Sequence, residues 1–500
     1  MCEFWRSVVV ICLIGLGIVG GASAVEWNQF RGPNGQGVME GAALPGDMSR
    51  EEVLRWKVAV PEGNSSPVLW GNRIFMTGFE PREDNALYVL CLSAVDGREI
   101  WRKEIKAKAR VRYHPMSNPA APTPVVDGER VYVYFGTNGL LCFDHDGALV
   151  WEEVIKPPKN SYGMATSPIL YRDTLIQVLD DNQGKSRVVA LDCKTGEQRW
   201  ETSRSYVKSG WSTPSIWKHE LGEELVILGA GRLASYDPKT GDALWWANGM
   251  PEETVGVPII GDGLLIASSS ALAGRGEPTW NGDKMWDIVI TDFDGDGDGV
   301  IQRSEMDNGF VIPFRPDLAK DNPGYAYLEK RPDNLLEMFD NDGDGVISKS
   351  DWDEEMKTFI NRDQPVLLAI KPGATRNARM DHVAWQTNEG ISEIPSPLLY
   401  RGRLYLVQNG GKLSCLKADT GEVLFREKLG VMGQYCASPV AGDGKVYIIS
   451  VKGVLVVLEA GDSLKELSRL DLGEKVHGTP AIRDGVIYVR GMEYLYAFGG

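Results

Sequence analysis

The sequence predicts an all-β fold: an eight-bladed β-propeller of four-stranded blades, with a small α-helical insertion in the fifth blade. Three observations carry this. A proline followed by an apolar stretch recurs eight times, at Pro67, Pro124, Pro168, Pro214, Pro258, Pro397, Pro439 and Pro480, with a small or polar residue before it in all but the fifth, where Val257 stands. Each phrase opens a unit of four short strands in roughly 42–46 residues, the length of one propeller blade. The last unit lacks its fourth strand, whereas VLRWKVAV, from Val53 to Val60, is a lone strand ahead of the first unit. The two ends together complete one blade and close the ring, which removes sheet edges that would invite aggregation.

The chain opens with a targeting pattern. Arg6 precedes an apolar run from Val8 to Gly21, and Ala22-Ser23-Ala24 supplies small residues for cleavage. Residues 1–24 are read as a secretory signal, 25–274 as the first part of the propeller, 275–365 as the insertion and 366–500 as the second part. No later apolar run is long enough to span a bilayer. The expectation is an exported protein, periplasmic or extracellular, with no transmembrane segment after cleavage. The net charge of −16 argues against a nucleic-acid partner. Part of that charge is concentrated in the insertion. Cys91, Cys142 and Cys415 occupy the same place in their repeats, so they read as small buried residues and not as a disulfide framework.

Trp27 to Gly37 (WNQFRGPNGQG) has no strand or helix period and is expected on the surface of the main domain. The repeats then follow in order. After the proline strand comes a Gly turn, such as Asp127-Gly128, Asp443-Gly444 or Asp484-Gly485. An alternating strand rich in aromatic and β-branched residues follows, such as VYVYF at 131–135 or VYII at 446–449. A third strand, a tight Thr-Gly or Asp-Gly turn and a fourth strand end the unit on an aromatic. The closing aromatics are Trp56, Trp101, Trp151, Trp200, Trp245, Trp385 and Phe425, and they are expected to pack between neighbouring blades. Proline suits the innermost strand, an edge strand that faces the channel and can do without an N–H.

The phrases ALDCKTGEQRW (190–200) and SYDPKTGDALW (235–245) resemble the ALDxxTGxxxW phrase of the pyrroloquinoline quinone (PQQ)-like repeat family. The resemblance covers nearly all of the chain outside the leader and the insertion. It implies the propeller fold. It leaves activity open, because the family holds both quinoprotein dehydrogenases and non-catalytic propellers. The alcohol-oxidising members commonly cover the quinone with a disulfide between adjacent cysteines; this sequence has no Cys-Cys pair and no CxxCH haem motif.

The blade pattern stops after residues 264–270 and resumes near Val366. Between them lie two twelve-residue loops. In the first, Asp294, Asp296 and Asp298 stand at positions 1, 3 and 5, and Gly299 makes the turn at position 6. Val300 offers its carbonyl, Gln302 acts through water and Glu305 closes the site, which is the full EF-hand calcium pattern. The second has Asp340, Asp342, Asp344, Gly345, Val346 and Ser348, with Asp351 in place of Glu at position 12. That shorter carboxylate predicts a weaker calcium site. Ile301 and Ile347, at position 8 of each loop, fit the short strand pair that joins two such loops. Apolar residues at helical spacing flank the loops: Met285, Ile288, Val289 and Phe293 before the first, Trp352, Met356, Phe359 and Ile360 after the second.

The five histidines form no HExxH motif and no close pair, and no GxSxG elbow occurs. No catalytic residue is assigned. Asn64, Asn118, Tyr162, Trp211, Glu393, Gln434 and His477 stand near the proline phrases, where side chains can line the channel mouth, and are not claimed as a site. The reading is a non-enzymatic scaffold for a protein or cell-envelope polymer at the propeller face, with Ca²⁺ in two EF-hand loops. A PQQ-dependent dehydrogenase, with PQQ in the channel, is the alternative.

Overall fold

The computed structural model describes residues 25–499 apart from 82–85, 110–112, 114–116, 161, 206, 208–209, 252–253, 271–281, 307–309, 313–326, 330–335, 337–338, 361–364 and 379–381. Residues 1–24, expected from the sequence to be a secretory signal, lie outside the described residues. Eight sheets form the propeller. Blade one holds strands Val68–Trp70, Arg73–Glu80, Ala86–Ser93 and Glu99–Lys106, and the next blades follow in chain order. Blade eight takes three strands from the end of the chain and one from its start. Leu54–Ala59 pairs antiparallel with Tyr494–Gly499, with Lys57 opposite Tyr496, and the ring closes there.

Every innermost strand begins directly after its proline, as at Val68, Val125, Ile169, Ser215, Ile259, Leu398, Val440 and Ala481. The residue just before the proline has a role that composition alone does not reveal. The Ser66 N–H donates to Thr123 Oγ1 of the next blade, Thr123 to Ser167, and Ser167 to Thr213. Val257 donates to Ser396, Ser396 to Ser438, Ser438 to Thr479, and Thr479 back to Ser66. Seven bonds of 2.9–3.1 Å thus run around the channel. Each is worth on the order of 1 kcal/mol. The ring has one gap: Val257 has no hydroxyl for blade four. There Ser212 and Ser215 reach across instead, to Gly256 O at 2.7 Å and Pro258 O at 2.8 Å.

On the outside, a second joint repeats. The closing Trp of one blade lies against the turn glycine of the next: Trp56 on Gly97, Trp101 on Gly147, Trp151 on Gly196, Trp200 on Gly241 and Trp385 on Gly421. A Cβ at these glycines would sit 2.5–2.8 Å from the indole, and each has φ between 71° and 84°, so both space and backbone require Gly. Trp101, Trp151 and Trp385 also donate Nε1 to a carbonyl of that turn. Trp245 departs from the pattern. It stays in a core with Leu265 and Leu368 of blade five, but gives its Nε1 to Glu224 of its own blade at 2.6 Å.

The acidic residue of the turn phrase has a local task. Asp192 accepts from the Lys194 and Thr195 N–H groups and from Arg199. Its pKa is lowered to about 2, first by the Arg199 hydrogen bond and then by Thr195. A depressed carboxylate stabilises the fold above its unfolded pKa, about 4, and that contribution disappears as pH falls through about 2. Asp192→Asn is therefore expected to melt below the parent chain at pH 6, and the gap between the two melting midpoints should close as pH approaches 2. A gap that persists unchanged would mean the charge plays no part.

The lead-in is not a surface segment. Trp27 and Arg31 are fully buried. The edge strands leave an N–H two residues after each proline, and the lead-in takes up five of them. Trp27 O accepts from Leu69, Asn28 O from Val126 and Gly37 O from Ala441, each at 2.8 Å. The Asn34 and Gln36 side chains accept from Ile216 and Ile260. Arg31 donates to the carbonyls of Gly35, Ser396 and Pro397. The segment crosses the propeller axis and closes one end of the channel.

Strands Leu264–Ser269 and Val366–Ile370 of blade five pair directly, and the chain between them forms the insertion. Helices α1 (Gly282–Phe293) and α2 (Lys349–Ile360) pack on a core of Met285, Val289, Phe339, Trp352 and Met356. Ile301 pairs with Ile347. Blade four gains a fifth strand from the far side of the insertion: Arg376–Asn377 runs parallel to Ala243–Asn248.

Candidate functional site

Chemically active groups gather in two places. The first is the pair of acidic loops. In loop one, Asp294, Asp296 and Glu305 each place a carboxylate oxygen within 4.8 Å of the others. The loop backbone forces this. Asp294 accepts from the N–H groups of Gly297, Asp298 and Gly299. Glu305 accepts from Gly295 at 2.6 Å and Gln302 at 2.8 Å, which ties position 12 back to positions 2 and 9. Asp298 stands outside the converging trio, with its oxygens on the Val300 N–H and the Gln302 amide. Gln302 also reaches Asp296.

Loop two repeats the arrangement. Asp340, Asp342 and Asp351 converge within 4.8 Å. Asp340 accepts from Gly343 and Gly345, and Asp344 accepts from the Val346 N–H outside the trio. Asp351 takes the Asn341 and Ser348 N–H groups at 3.0 Å each, so the short carboxylate makes the backbone contacts that Glu305 makes in loop one. Ser348 Oγ adds a third bond at 2.5 Å. The Asp340 pKa is raised, by burial first, against the lowering pull of its two backbone bonds; the neighbouring Asp344 and Asp342 raise it further. A cation that neutralised the trio would relieve that repulsion.

Loop two is also fastened to the propeller, which the sequence did not signal. Arg376 Nη1 donates to Asp342 O and lies over Gly343, where a Cβ would overlap the guanidinium. Arg376 holds the left-handed φ of 57° to do so. Asn377 Nδ2 donates to Asn341 Oδ1 at 3.2 Å. On α2, the buried Glu355 accepts from Asn248 at 2.6 Å, and Asn248 in turn accepts from Arg232.

The second place is the channel. A cavity of about 170 Å³ opens at the end opposite the lead-in, with Phe30 of the lead-in contributing to its lining. The pre-proline hydroxyls form one layer of its wall. The residues two places earlier form the next: Asn64, Ala121, Ala165, Trp211, Val255, Ile394, Cys436 and His477, one from each blade. Asn64, Tyr162, Trp211 and His477 thus line the mouth. Asn118 braces Asn64 from behind, and Glu393 is engaged by the Asn409 N–H; neither they nor Gln434 line the cavity. Ala121, Ala165, Val255, Ile394 and Cys436 were not singled out from the sequence, although a fixed offset from each proline finds all five. The described lining holds no Lys, Arg, Asp or Glu. Burial lowers the pKa of His477, with Lys475 adding to the effect, and pushes the Cys436 thiol up to about 11. Cys91, Cys142, Cys193 and Cys415 are buried free thiols.

A closed ring of four-stranded blades, joined by indole-on-glycine contacts outside and hydroxyl bonds inside, defines the class of tryptophan-docked repeat propellers. The chain belongs to the PQQ-like repeat family whose model is described as outer membrane protein assembly factor BamB, and that model matches residues 49–213 and 333–491. Two curated relatives are methanol dehydrogenase [cytochrome c] subunits 1. The protein of Paracoccus denitrificans is 27% identical over 194 residues, covering 33% of this chain and 29% of that one. The protein of Methylobacterium organophilum is 29% identical over 184 residues, covering 33% and 28%. The matched segments span less than a third of these relatives. Among solved structures, BamB from Moraxella catarrhalis superposes with TM-score 0.52 at 10% identity, over 89% of this chain and 98% of that one. Quinohemoprotein alcohol dehydrogenase from Comamonas testosteroni gives 0.52 at 13%, over 95% and 80%. These likenesses are of fold.

Proposed function

We propose that the chain is an exported, non-enzymatic propeller scaffold. It presents its face to a protein or cell-envelope polymer and carries Ca²⁺ in the two loops of its insertion, read as an EF-hand pair. One observation supports this best: carboxylates converge in the insertion, whereas the described channel lining offers no Lys, Arg, Asp or Glu. In each loop the trio would supply carboxylate oxygens, with Asp298 or Asp344, the carbonyl of Val300 or Val346, and Gln302 or Ser348 completing the six to eight oxygens calcium takes. The family, described by its BamB member, is consistent with partner binding. No helix among the described residues is long and apolar enough to cross a membrane.

The match to methanol dehydrogenases favours a second reading, a PQQ-dependent dehydrogenase. PQQ bears three carboxylates, which need cationic partners when buried. A calcium beside it needs carboxylates of its own. The described lining supplies neither. The described residues do not fit the group, and no step is derived through it.

Calorimetric titration of the chelator-treated mature protein decides between the two. Two calcium ions should bind, none should bind the Asp294→Ala/Asp340→Ala variant, and PQQ added at saturating calcium should give no heat. Stoichiometric PQQ binding would sink the scaffold reading.

A further inference from the structure

We propose that the channel cup binds an uncharged monocyclic aromatic hydroxyl compound, a phenol, in place of a carboxylate-bearing quinone. The volume argues for one ring. The cup measures about 170 Å³, and an apolar cavity of roughly 150 Å³ accepts benzene. One wall is flat, apolar and held in place. Trp211 donates Nε1 to Gly163 O at 2.9 Å and meets Tyr162 edge-on at 5.2 Å, so its ring orientation is fixed. Val255 and Ile394 continue that apolar side.

The remaining arc is polar. Cys436, His477 and Asn64 come from three consecutive blades, each two residues ahead of a hydroxyl in the bonded ring. His477 Nδ1 has no hydrogen-bond partner and is closed off from water, so a ligand in the cup reaches it only when the imidazole turns towards the cup. A buried polar atom of this kind calls for a partner. Nδ1 of a neutral imidazole is a donor in one tautomer and an acceptor in the other. A phenolic O–H serves both. With no charged side chain in the described lining, a carboxylate in the cup would lose its water without gaining a counter-charge. The proposal concerns the cup alone and rests neither on calcium nor on a protein partner.

The test is ligand-observed fluorine NMR on the full mature chain, with 4-fluorophenol, 4-fluorotoluene and 4-fluorobenzoate. The phenol should bind about tenfold tighter than the toluene, the value of one hydrogen bond. The benzoate should not bind. His477→Leu should bring the phenol down to the toluene's affinity and leave the toluene unchanged. Ala165→Phe should fill the cup and remove both. The three-ligand comparison on the unaltered chain needs no variant to fold. Equal affinity for phenol and toluene, benzoate binding as tight as the phenol, or undiminished phenol binding to a natively melting Ala165→Phe protein would each overturn the proposal.

Discussion

Saturating calcium is expected to stabilise the insertion by about 2.7 kcal/mol at loop one when the ion stands a hundredfold above its dissociation constant. Extracellular calcium modules bind at roughly 10⁻⁴ to 10⁻³ M, so about 10 to 100 mM reaches that ratio. Loop two should add less, because Asp351 is a shorter closing ligand than Glu305. The gain follows from the geometry. Three carboxylates within 4.8 Å repel one another without a cation. Trp352 reports the change, since it stacks on Phe339 at 5.0 Å and donates to Gly282 O, and both contacts depend on the helices staying packed. Thermal melts followed by tryptophan fluorescence, in chelator and in calcium, should separate for the parent chain and coincide for Asp294→Ala/Asp340→Ala. Melts that coincide for the parent as well would reduce the loops to solvated acidic turns. Hydrogen exchange localises the effect. Calcium should slow the amides of Ala243–Asn248, where the insertion is fastened, and leave Ala86–Ser93 in blade one unchanged.

Trp151→Ala is expected to cost about 3 kcal/mol. The indole rests on Gly196, stacks obliquely on Tyr132 at 5.9 Å and donates to Cys193 O at 3.0 Å. Losing it opens a void in the joint between blades two and three. Trp151→Phe keeps most of the packing and loses the hydrogen bond, so it should cost about 1 kcal/mol. Gly196→Ala should be damaging from the other side, since its Cβ would strike the ring at 2.7 Å and its φ is 77°. In the double variant the clash is gone but the backbone strain stays, so the two losses should sum to less than their parts. Denaturant midpoints at constant slope measure all of this. Val150→Ala, one residue away and exposed, is the control and should stay within about 0.5 kcal/mol. A Trp151→Ala loss no larger than the control's would mean that the indole joints do not hold the ring together.

Most of the architecture was legible because it is written locally and repeatedly. A proline at the start of each inner strand, and a Thr-Gly or Asp-Gly turn before most of the closing aromatics, mark strand boundaries within single repeats. The twelve-residue acidic loops are equally local. What escaped was set by neighbours in space. The pre-proline Ser and Thr read as small or polar residues until adjacent blades bring each hydroxyl to the next N–H. The lead-in looked like a surface segment because nothing in WNQFRGPNGQG says that its carbonyls and amides match five edge N–H groups from distant strands. Cys436 and His477 lie 41 residues apart and meet only around the axis. Arg376 gave no signal at all, since its contact with loop two depends on where the insertion lands.

The boundary between blades four and five gathers three departures. Val257 breaks the inner ring of hydroxyls, Trp245 turns to its own blade, and the added strand Arg376–Asn377 lies alongside instead. A wheel with eight equal joints has no preferred place to crack. This one is built differently at that joint, and the insertion is the clip across it. If loop two takes calcium as proposed, the order of failure under load should depend on the ion: a stiff clip would let the wheel break as a unit, and a loose one would let it part first at that joint and open into a strip.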